Sequence, residues 1–600
     1  MNSPKASARR NLLLLTFYAL VILTAAILAF LYNRAHLSLS NADLINWDEA
    51  ARSEEAVRLA RDLGHLKIGT FIRHLLAINW WPPLFPFVLA VVYLVFGPSY
   101  RISLLPSQVA YPLAIAALLF SNRMAGARKP GFGKSWALVA AFGLTSPLLL
   151  GASGWVMLEA AGVCLTYFAF GNYFKAREEG RLGLYRWCGL LLFLLWMLKY
   201  HFGLFASLTI LVFELGRSRK VLRGAGIGRW LIRRLKDPAL IVAYVLGLIV
   251  LWIAVAGGGK IWLGRLRVSL TNIYNPILFL YVYLLAVTII RLIKNWASFS
   301  SRLEKGQREL LLWGALPTAL FMALPDKIKA VLKTYEIGGQ VSRGPSFRGI
   351  ALYTHSFIHD YHLFVPAAVV AIAGAIWALC RIRKTPLAVR ALMLYFAIGF
   401  VSLSLSYGLI EERFIASFVP ALWIIAAWAA GDAFRAIPRL FRTLASVILV
   451  IGTIVVAFGT PAVIQKALQQ PWAPWARLDD SYRSIIERTV EAASESNSVL
   501  LVGVRDLECH LSLSWRLQMS HFKDENFRLV FEPEKFNLVS DFADEASFDL
   551  IAIYSVEGSP KATALQFLRD KLGSGGQFAL LEERAFIRPR PFLFSLFKKK

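Results

Sequence analysis

The feature that most constrains this chain is a succession of apolar runs, each close to the length needed to cross a lipid bilayer. A helix needs about 20 apolar residues to span the hydrocarbon core. Hydrophobic residues make up 57% of the 600 residues and charged residues only 17%, where soluble proteins have about 45–50% and about 25%. A polytopic membrane protein is therefore predicted, and a soluble enzyme and a disulfide-built scaffold are excluded.

The net charge of +28 belongs to the apolar part of the chain. Lys and Arg number 48 up to residue 462 against 19 Asp and Glu, whereas the last 138 residues carry 18 and 19. Basic loops between spans face the cytoplasm, so this charge indicates membrane topology. A DNA-binding protein is excluded, and no nucleic-acid partner is expected.

Alternation of apolar runs with basic loops predicts about thirteen transmembrane helices. The run 187–215 is interpreted as two short helices that turn at Lys199 near the outer face, because an unpaired Lys at mid-bilayer depth is costly. The short run 81–97 is interpreted as an embedded outer-side helix, with a full span as the alternative. The predicted spans are 11–32, 102–120, 135–156, 160–174, the two halves of 187–215, 238–256, 276–293, 309–324, 363–380, 389–408, 414–433 and 441–462.

The chain divides into two predicted domains. Residues 1–462 form a mostly α transmembrane domain with a first outer loop at 33–80. Residues 463–600 form a small soluble α/β domain, because short apolar runs suited to buried strands alternate there with helix-like stretches. An odd number of spans places this tail on the outer side. Its predicted strands are 498–504, 548–554 and 577–581, and its predicted helices are 481–494 and 560–572.

Two adjacent acids in the first outer loop, Asp48 and Glu49, form the sharpest candidate site. They precede an amphipathic helix, and such a pair can supply a general base or a metal ligand. The alternative is a solvated helix N-terminus, where acids are favoured by the helix dipole. No cofactor is certain, and a divalent metal near Asp48 is an open alternative.

Further ionisable residues lie at the outer ends of apolar runs. Glu159 follows a span end, and Lys199 lies in an apolar run beside His201. Intramembrane charges indicate function by default, and a Lys suits a phosphate as a point charge. The alternatives are a helix-start acid at Glu159 and a Lys199 side chain that extends to the interface.

The later outer segments add aromatic and basic residues. Tyr361 and His362 are expected to line a substrate groove or the membrane interface, and Arg413 can pair with a phosphate or with Glu412. His355 and His359, four residues apart, would share a helix face. A metal site there lacks a third ligand of certain position.

The order of these motifs resembles the GT-C superfamily of integral-membrane glycosyltransferases. It is similar, more narrowly, to bacterial relatives of dolichyl-phosphate-mannose–protein mannosyltransferases and of the lipid A aminoarabinose transferase. The resemblance covers roughly residues 10–440 and excludes the tail. The motifs are Asp48-Glu49-Ala50, Trp81-Pro82-Pro83-Leu84-Phe85-Pro86, Phe96-Gly97, Arg101 with Leu105-Pro106, Ser146-Pro147 with Glu159, Leu198-Lys199-Tyr200, and Glu412-Arg413-Phe414 with Pro420.

The resemblance implies transfer of a sugar, with inversion, from a polyprenyl-phosphate donor to an acceptor on the outer side. It implies that Asp48, with Glu49 beside it, is the essential acid of the first loop. The expected partners are the donor, membrane lipid and an envelope acceptor that is protein, lipid or glycan. The expected location is the bacterial cytoplasmic (inner) membrane, with the C-terminal domain extracytoplasmic. The residues assigned to the donor phosphate are Lys199, Arg413 and Arg101, and those assigned to substrate are Glu159, His201, Tyr361 and His362.

The sequence departs from the family pattern in two places. Many relatives have Asp at the position of Glu159, and the lipid A transferase has an acidic-basic pair where this chain has Trp80-Trp81. The second departure argues against that particular pair of substrates.

Two alternative functions use the same apolar pattern. A polytopic transporter or lipid flippase would also place charges in the membrane, but its site belongs near the bilayer midplane. An envelope-assembly protein would use the α/β tail to bind a partner. The outer position of the paired acids favours the enzyme.

Overall fold

The structure is a computed structural model of the chain. It describes residues 4–39, 47–78, 82–126, 135–217, 237–256, 259–263, 266–270, 274–296, 301, 303–324, 327–328, 330, 348–406, 412–436, 460–469, 481–503, 508–522, 524, 528–532, 548–556, 562–586 and 592–600.

The described chain up to residue 217 is helical apart from short connections. Its helices are α1 (Pro4–Leu37), α2 (Trp47–Gly64), α3 (Ile68–Ala77), α4 (Leu84–Phe96), α5 (Tyr100–Ser103), α6 (Leu105–Gly126), α7 (Ser135–Leu144), α8 (Pro147–Gly151), a 3₁₀ turn (Ala152–Gly154), α9 (Glu159–Glu179), α10 (Leu182–Leu198) and α11 (Tyr200–Arg217).

The middle of the chain adds more helices and one antiparallel hairpin that sequence analysis missed. Its elements are α12 (Pro238–Ala256), β1 (Gly259–Leu263), β2 (Leu266–Leu270), α13 (Tyr274–Lys294), α14 (Lys305–Leu310), a π-helical turn (Leu311–Ala315), α15 (Leu316–Met322), α16 (Arg348–His359), α17 (Val365–Cys380), α18 (Leu387–Ser406), a 3₁₀ turn (Glu412–Ile415), α19 (Val419–Ala436) and α20 (Thr460–Gln469).

The tail alternates helices and strands, as predicted. Its elements are α21 (Ser481–Ala493), β3 (Ser498–Gly503), α22 (Glu508–Ser520), β4 (Arg528–Glu532), β5 (Leu550–Val556), α23 (Ala562–Ser574), β6 (Phe578–Phe586) and β7 (Phe592–Lys599).

Within the described residues, three helices are long and apolar enough to cross a membrane: Leu14–Leu37, Tyr100–Gly126 and Leu387–Ser404. The pair α7 and α8, bent by 59°, is a fourth candidate. The bend falls at Pro147, which lacks an N–H and disfavours helical geometry in the residue before it. Eight shorter apolar helices accompany them, and thirteen spans remain a prediction.

The predicted embedded helix 81–97 corresponds to α4 (Leu84–Phe96). α4 has 13 residues and is about 20 Å long at 1.5 Å per residue, which is short of a hydrocarbon core of about 30 Å. The predicted span 441–462 lies largely in 441–459, outside the described residues. Trp80-Trp81 lies outside them as well.

Residue contacts divide the chain into two compact units. Unit 1 comprises Met1–Tyr32, Leu76–Leu84 and Ser107–Gln470, and unit 2 comprises Asn33–Leu75, Phe85–Pro106 and Pro471–Lys600. Unit 2 therefore combines most of the first outer loop with the α/β tail.

The tail contains a five-stranded sheet in the order β4-β3-β5-β7-β6. β4, β3 and β5 are parallel, whereas β7 pairs antiparallel with both β5 and β6. Val499 and Leu501 face one hydrophobic cluster, while Leu500 and Val502 face another. Both faces of β3 are buried, which explains its continuous apolar sequence.

Candidate active site

Lys199 marks a break between two helices of unit 1, which confirms the two-helix interpretation of 187–215. α10 ends at Leu198 and α11 begins at Tyr200, while Lys199 itself is extended, with φ −156° and ψ 111°. A Cβ atom on Gly203 would lie 2.7 Å from Cγ of Trp196. The two helices can therefore approach closely here because residue 203 has no side chain.

Lys199 forms an ion pair with the predicted acid Glu159. Its Nζ lies 2.6 Å from Oε1 of Glu159, and the two side chains are 12% and 2% exposed. Glu159 is in the first turn of α9, where the helix dipole stabilises a carboxylate. Nζ also lies 4.8 Å from the ring centre of Phe202 and 5.4 Å from that of Phe414. The ammonium is thus enclosed by one carboxylate and two aromatic faces.

Arg413 brings a second cation to the same aromatic ring. It lies in the 3₁₀ turn before α19, with its guanidinium carbon 5.7 Å from the ring centre of Phe414. Its Nη1 donates to the sulfur of Met157 at 3.0 Å. The ring of His201 also lies near Phe414, at 5.7 Å from ring centre to ring centre. Four predicted site residues therefore converge on one cluster: Glu159, Lys199, His201 and Arg413.

Tyr361 closes the cluster on the side of the 3₁₀ turn. Its hydroxyl donates to the backbone oxygen of Glu412 at 2.9 Å, and the residue is 1% exposed. The neighbouring backbone is also fixed, because the N–H of Leu148 donates to the carbonyl of Asp360 at 3.2 Å. The loop before α17 is thereby tied to both α8 and the Arg413 turn.

His362 lies next to Tyr361 but belongs to a different environment. Its ring packs against Phe142, Phe357 and Trp423. One ring nitrogen contacts the carbonyl of Phe357 at 2.6 Å, and the other accepts the indole N–H of Trp423 at 3.0 Å. Both nitrogens are thus engaged by the protein, and a contact of this ring with substrate stays a prediction.

The other predicted site residues belong to unit 2. Asp48 lies in the first turn of α2, and the structure does not describe its side chain. Glu49 is 1% exposed, whereas Arg101 is exposed on α5. Burial raises the pKa of Glu55, which lies on α2, although the charge of Arg58 opposes that shift. The acidic first-loop helix is therefore largely desolvated.

The paired histidines of α16 share a helix face as expected. The rings of His355 and His359 are 4.5 Å apart, centre to centre. Burial raises the pKa of the adjacent Asp360, against the lowering effects of its Ser356 hydrogen bond and nearby cations. Among the described residues, no three His, Cys, Asp or Glu side chains are placed to hold a metal ion.

A cavity of about 540 Å³ that sequence analysis missed lies along the α10–α11 hairpin. It begins at Trp196, about one helical turn from Lys199, and its walls include Ser207, Leu211 and the π-helical turn at Gly314. Its far end contains Glu214, which accepts hydrogen bonds from Tyr173 and Gln307 at 2.6 and 2.9 Å. The only sequence signal was an acid inside an apolar run.

Comparisons with known proteins identify the fold. No protein-family model matches the chain, and no curated protein matches it significantly. Among solved structures, ArnT from Cupriavidus metallidurans bound to undecaprenyl phosphate matches with a TM-score of 0.51 and 12% identity, over 97% of this chain and 98% of that chain. The chain has the ArnT fold. The apo structure of the same protein matches with a TM-score of 0.34 and 14% identity, over 96% and 98%.

ArnT is a lipid A aminoarabinose transferase with the GT-C fold. The predicted resemblance to GT-C proteins is thus confirmed for the fold. The structural similarity covers 97% of this chain and so extends into the tail, which the predicted resemblance excluded. The predicted fold class, a mostly α polytopic membrane protein with a small α/β domain, is confirmed with it.

Proposed function

We propose that this protein is a membrane glycosyltransferase that moves a sugar from a polyprenyl-phosphate-linked donor to an acceptor of the cell envelope. The observation that carries the proposal is the environment of Lys199. A buried ammonium and the Arg413 guanidinium share one aromatic ring, and an apolar cavity begins about one turn away. A polyprenyl phosphate has the complementary form, an anionic head on a long apolar tail.

The cationic cluster suits the phosphate of such a donor. The leaving group of the reaction is a lipid phosphate, whose developing charge needs preorganised positive groups in a site of low polarity. Lys199 and Arg413 supply them, and Arg101 is the third residue assigned to the phosphate. Glu159 holds Lys199 in place, because a buried ammonium without a partner would be expensive. His201 and Tyr361 then border the sugar.

The cavity suits part of the donor's apolar tail. α11 runs from the Lys199 break to Glu214, about 22 Å at 1.5 Å per residue, and the cavity extends along it. A volume of about 540 Å³ lies in the ordinary range for ligand sites of about 300–1,000 Å³. The solved structure with this fold contains undecaprenyl phosphate, a lipid of the proposed class.

The proposed reaction is a direct displacement with inversion. Asp48, with Glu49 beside it, accepts the proton of the acceptor hydroxyl or amine. The acceptor atom bonds to the sugar carbon while the bond from that carbon to the phosphate oxygen breaks. The polyprenyl phosphate leaves with the electron pair of that bond. The sugar is a hexose or pentose, and a divalent metal near Asp48 is tested by chelation.

The proposed location is the bacterial cytoplasmic (inner) membrane, with residues 463–600 on the extracytoplasmic side. This side is where the first outer loop is expected, and unit 2 combines that loop with the tail. A protease added to spheroplasts should therefore cleave the tail, and a tail that is cleaved only after lysis would contradict the orientation.

The donor proposal is tested with purified protein in nanodiscs and radiolabelled polyprenyl-phosphate sugars. Lys199→Ala should reduce transfer by about 10²- to 10³-fold, as for other groups that stabilise transition-state charge, and Lys199→Arg should retain part of it. Lys384→Ala, at an exposed Lys, is the matched control. Donor binding and movement between leaflets without transfer would establish a flippase instead.

The role of the first-loop acid is tested separately. Asp48→Asn should abolish transfer while donor binding persists, and Asp570→Asn, at an exposed carboxylate, should leave transfer unchanged. Full transfer activity in Asp48→Asn would refute Asp48 as the base. Mass spectrometry of envelope proteins, lipids and glycans after deletion of the gene would identify the acceptor.

A further inference from the structure

The first-loop helix α2 and the tail helix α22 pack against each other within unit 2. Ten of the sixteen α2 residues from 49 to 64 are buried and only two are exposed, although the helix is polar in sequence. Its small residues recur every three or four positions, at Ala50, Ser53, Ala56 and Ala60, and each is fully buried. Such spacing places them on one helix face.

Two polar contacts fix α2 on α22. Gln518 of α22 donates to Oε1 of Glu54 at 3.0 Å, in a buried position. Glu54 also pairs with Arg58 on its own helix. Two turns further along α2, Arg61 donates to the backbone oxygens of His521 and Asp524, directly after α22 ends. A guanidinium at this position satisfies backbone carbonyls of the turn that follows α22.

The two contacts constrain α2 differently from simple apolar packing. Glu54 and Arg61 are seven residues apart, about 10 Å along the helix. Hydrogen bonds at both ends of that distance oppose rotation of α2 about its axis and sliding along it. The opposite face of α22 contributes Leu513 and Leu517 to the core of the sheet. α2 is therefore connected through one helix to the hydrophobic core of the tail sheet.

The same helix α22 also holds α5. Trp515 is fully buried, and its ring lies edge-on to Tyr100 at 6.1 Å. Tyr100 in turn contacts Nε2 of His36 through its hydroxyl at 3.0 Å. Tyr100 is the residue before Arg101, so the tail contacts both α2 and α5, the two segments of unit 2 to which acid and phosphate roles are assigned.

We propose that the C-terminal α/β domain is a positioning element for catalysis, in which Gln518 and the backbone carbonyls that follow α22 fix the orientation of α2 and so of its N-terminal residues Asp48 and Glu49. This role goes beyond the proposed function and rests on it for its catalytic part. Most of the stability of a helix in a protein comes from tertiary packing, and the 18-residue helix α2 packs on α22.

The test uses reciprocal variants of the full chain in nanodiscs. Gln518→Glu places a second carboxylate against Glu54. The double variant Glu54→Gln with Gln518→Glu reverses donor and acceptor and restores one hydrogen bond. Gln566→Ala is the matched control, since the side-chain amide of Gln566 donates to the exposed carboxylate of Asp570 on its own helix.

Two measurements are made on each variant. In Gln518→Glu, amide hydrogen exchange across α2 should accelerate about tenfold or more, as expected for local opening, while exchange in β3 and β5 stays unchanged. The kcat for transfer should fall about 10- to 100-fold, since small misplacements of a catalytic group have effects of this size. The donor KM should not change, because the donor phosphate is assigned to Lys199. The double variant should recover both quantities.

Three results would overturn the proposal. The first is unchanged amide hydrogen exchange across α2 in Gln518→Glu, and the second is faster exchange that extends equally to β3 and β5. The third is a normal kcat in a variant whose α2 exchanges faster. If the wild-type protein transfers no sugar from any polyprenyl-phosphate donor, the proposed function fails and the catalytic role fails with it. The exchange data would then still decide whether α22 orders α2.

Discussion

His362 should make the folded protein less stable below neutral pH. The indole N–H of Trp423 can only donate, so the nitrogen that accepts it at 3.0 Å, Nε2, carries no proton. The proton of the neutral ring is therefore on Nδ1, which donates to the carbonyl of Phe357 at 2.6 Å. Protonation of Nε2 would place two N–H groups against each other. The charged ring does not fit this position.

The magnitude follows from the pKa of this side chain, which lies in the loop before α17. Burial, the largest cause, lowers the pKa of His362 from 6.5 to about 4, with a smaller contribution from the cation Lys466 and an opposing one from the Phe357 hydrogen bond. Because the folded pKa is depressed, the unfolded chain takes up the proton first. Stability is therefore full above pH 6.5 and is lost as the pH falls toward 4.

Between pH 7.5 and 5 the loss amounts to about 2 kcal/mol, at 1.36 kcal/mol for each pKa unit. The assay is chemical or thermal unfolding of the detergent-solubilised protein at these two pH values. His362→Gln keeps an acceptor for Trp423 and a donor for Phe357 but cannot titrate, so its acid destabilisation should be smaller by this amount. His355→Gln, at an exposed residue, should behave as wild type. An equal pH dependence in wild type and His362→Gln would refute the reasoning.

Three further predictions concern unit 1. Lys199→Met and Glu159→Gln should each destabilise the folded protein by about 3–5 kcal/mol, because each leaves one buried charge uncompensated. In unfolding assays the double variant should recover much of this stability, but it should recover none of the transfer activity. Additive losses of stability in the double variant would contradict this prediction. Gly374→Ala should cost about 1–3 kcal/mol, since its Cβ would lie 2.5 Å from Cα of Ala426, while Gly183→Ala, with nothing within 4 Å, should not lower the melting temperature. Ala315→Trp in the cavity wall should raise the donor KM about tenfold with little change in kcat. This pattern is expected when a variant loses binding that is equal in the ground state and the transition state. An unchanged KM would place the donor tail elsewhere.

Much of the local structure was predictable because it depends on neighbours in sequence. A single Lys in an apolar run predicted the break at residue 199, since burial of an unpaired charge within one long span is costly. The apolar runs of β3 and β5 predicted strands because both sheet faces are covered. β4 and β7 were missed because acidic or basic residues at their ends interrupt the apolar pattern.

The pairing of distant residues was not predictable in the same way. Glu159 and Lys199 were both selected as candidates, but their contact joins positions 40 residues apart and depends on how α9 packs on the α10–α11 hairpin. His362 shows the opposite case. Its sequence position beside Tyr361 suggested a substrate contact, and only the packing of Phe142 and Trp423 shows how its ring is enclosed.

The packing of α2 on α22 has a consequence for the order of events during synthesis. Glu54 and Gln518 are separated by 464 residues, and ribosomes add about 5–20 residues per second. The first-loop helix therefore waits roughly 25 to 90 s for its partner to emerge, at the rates just given. During that interval Glu54, which is buried in the folded protein, has no Gln518 to donate a hydrogen bond to it. A nascent chain stalled before residue 508 should thus expose α2 to proteases and chaperones, and the last part of the protein to be made completes one of the first.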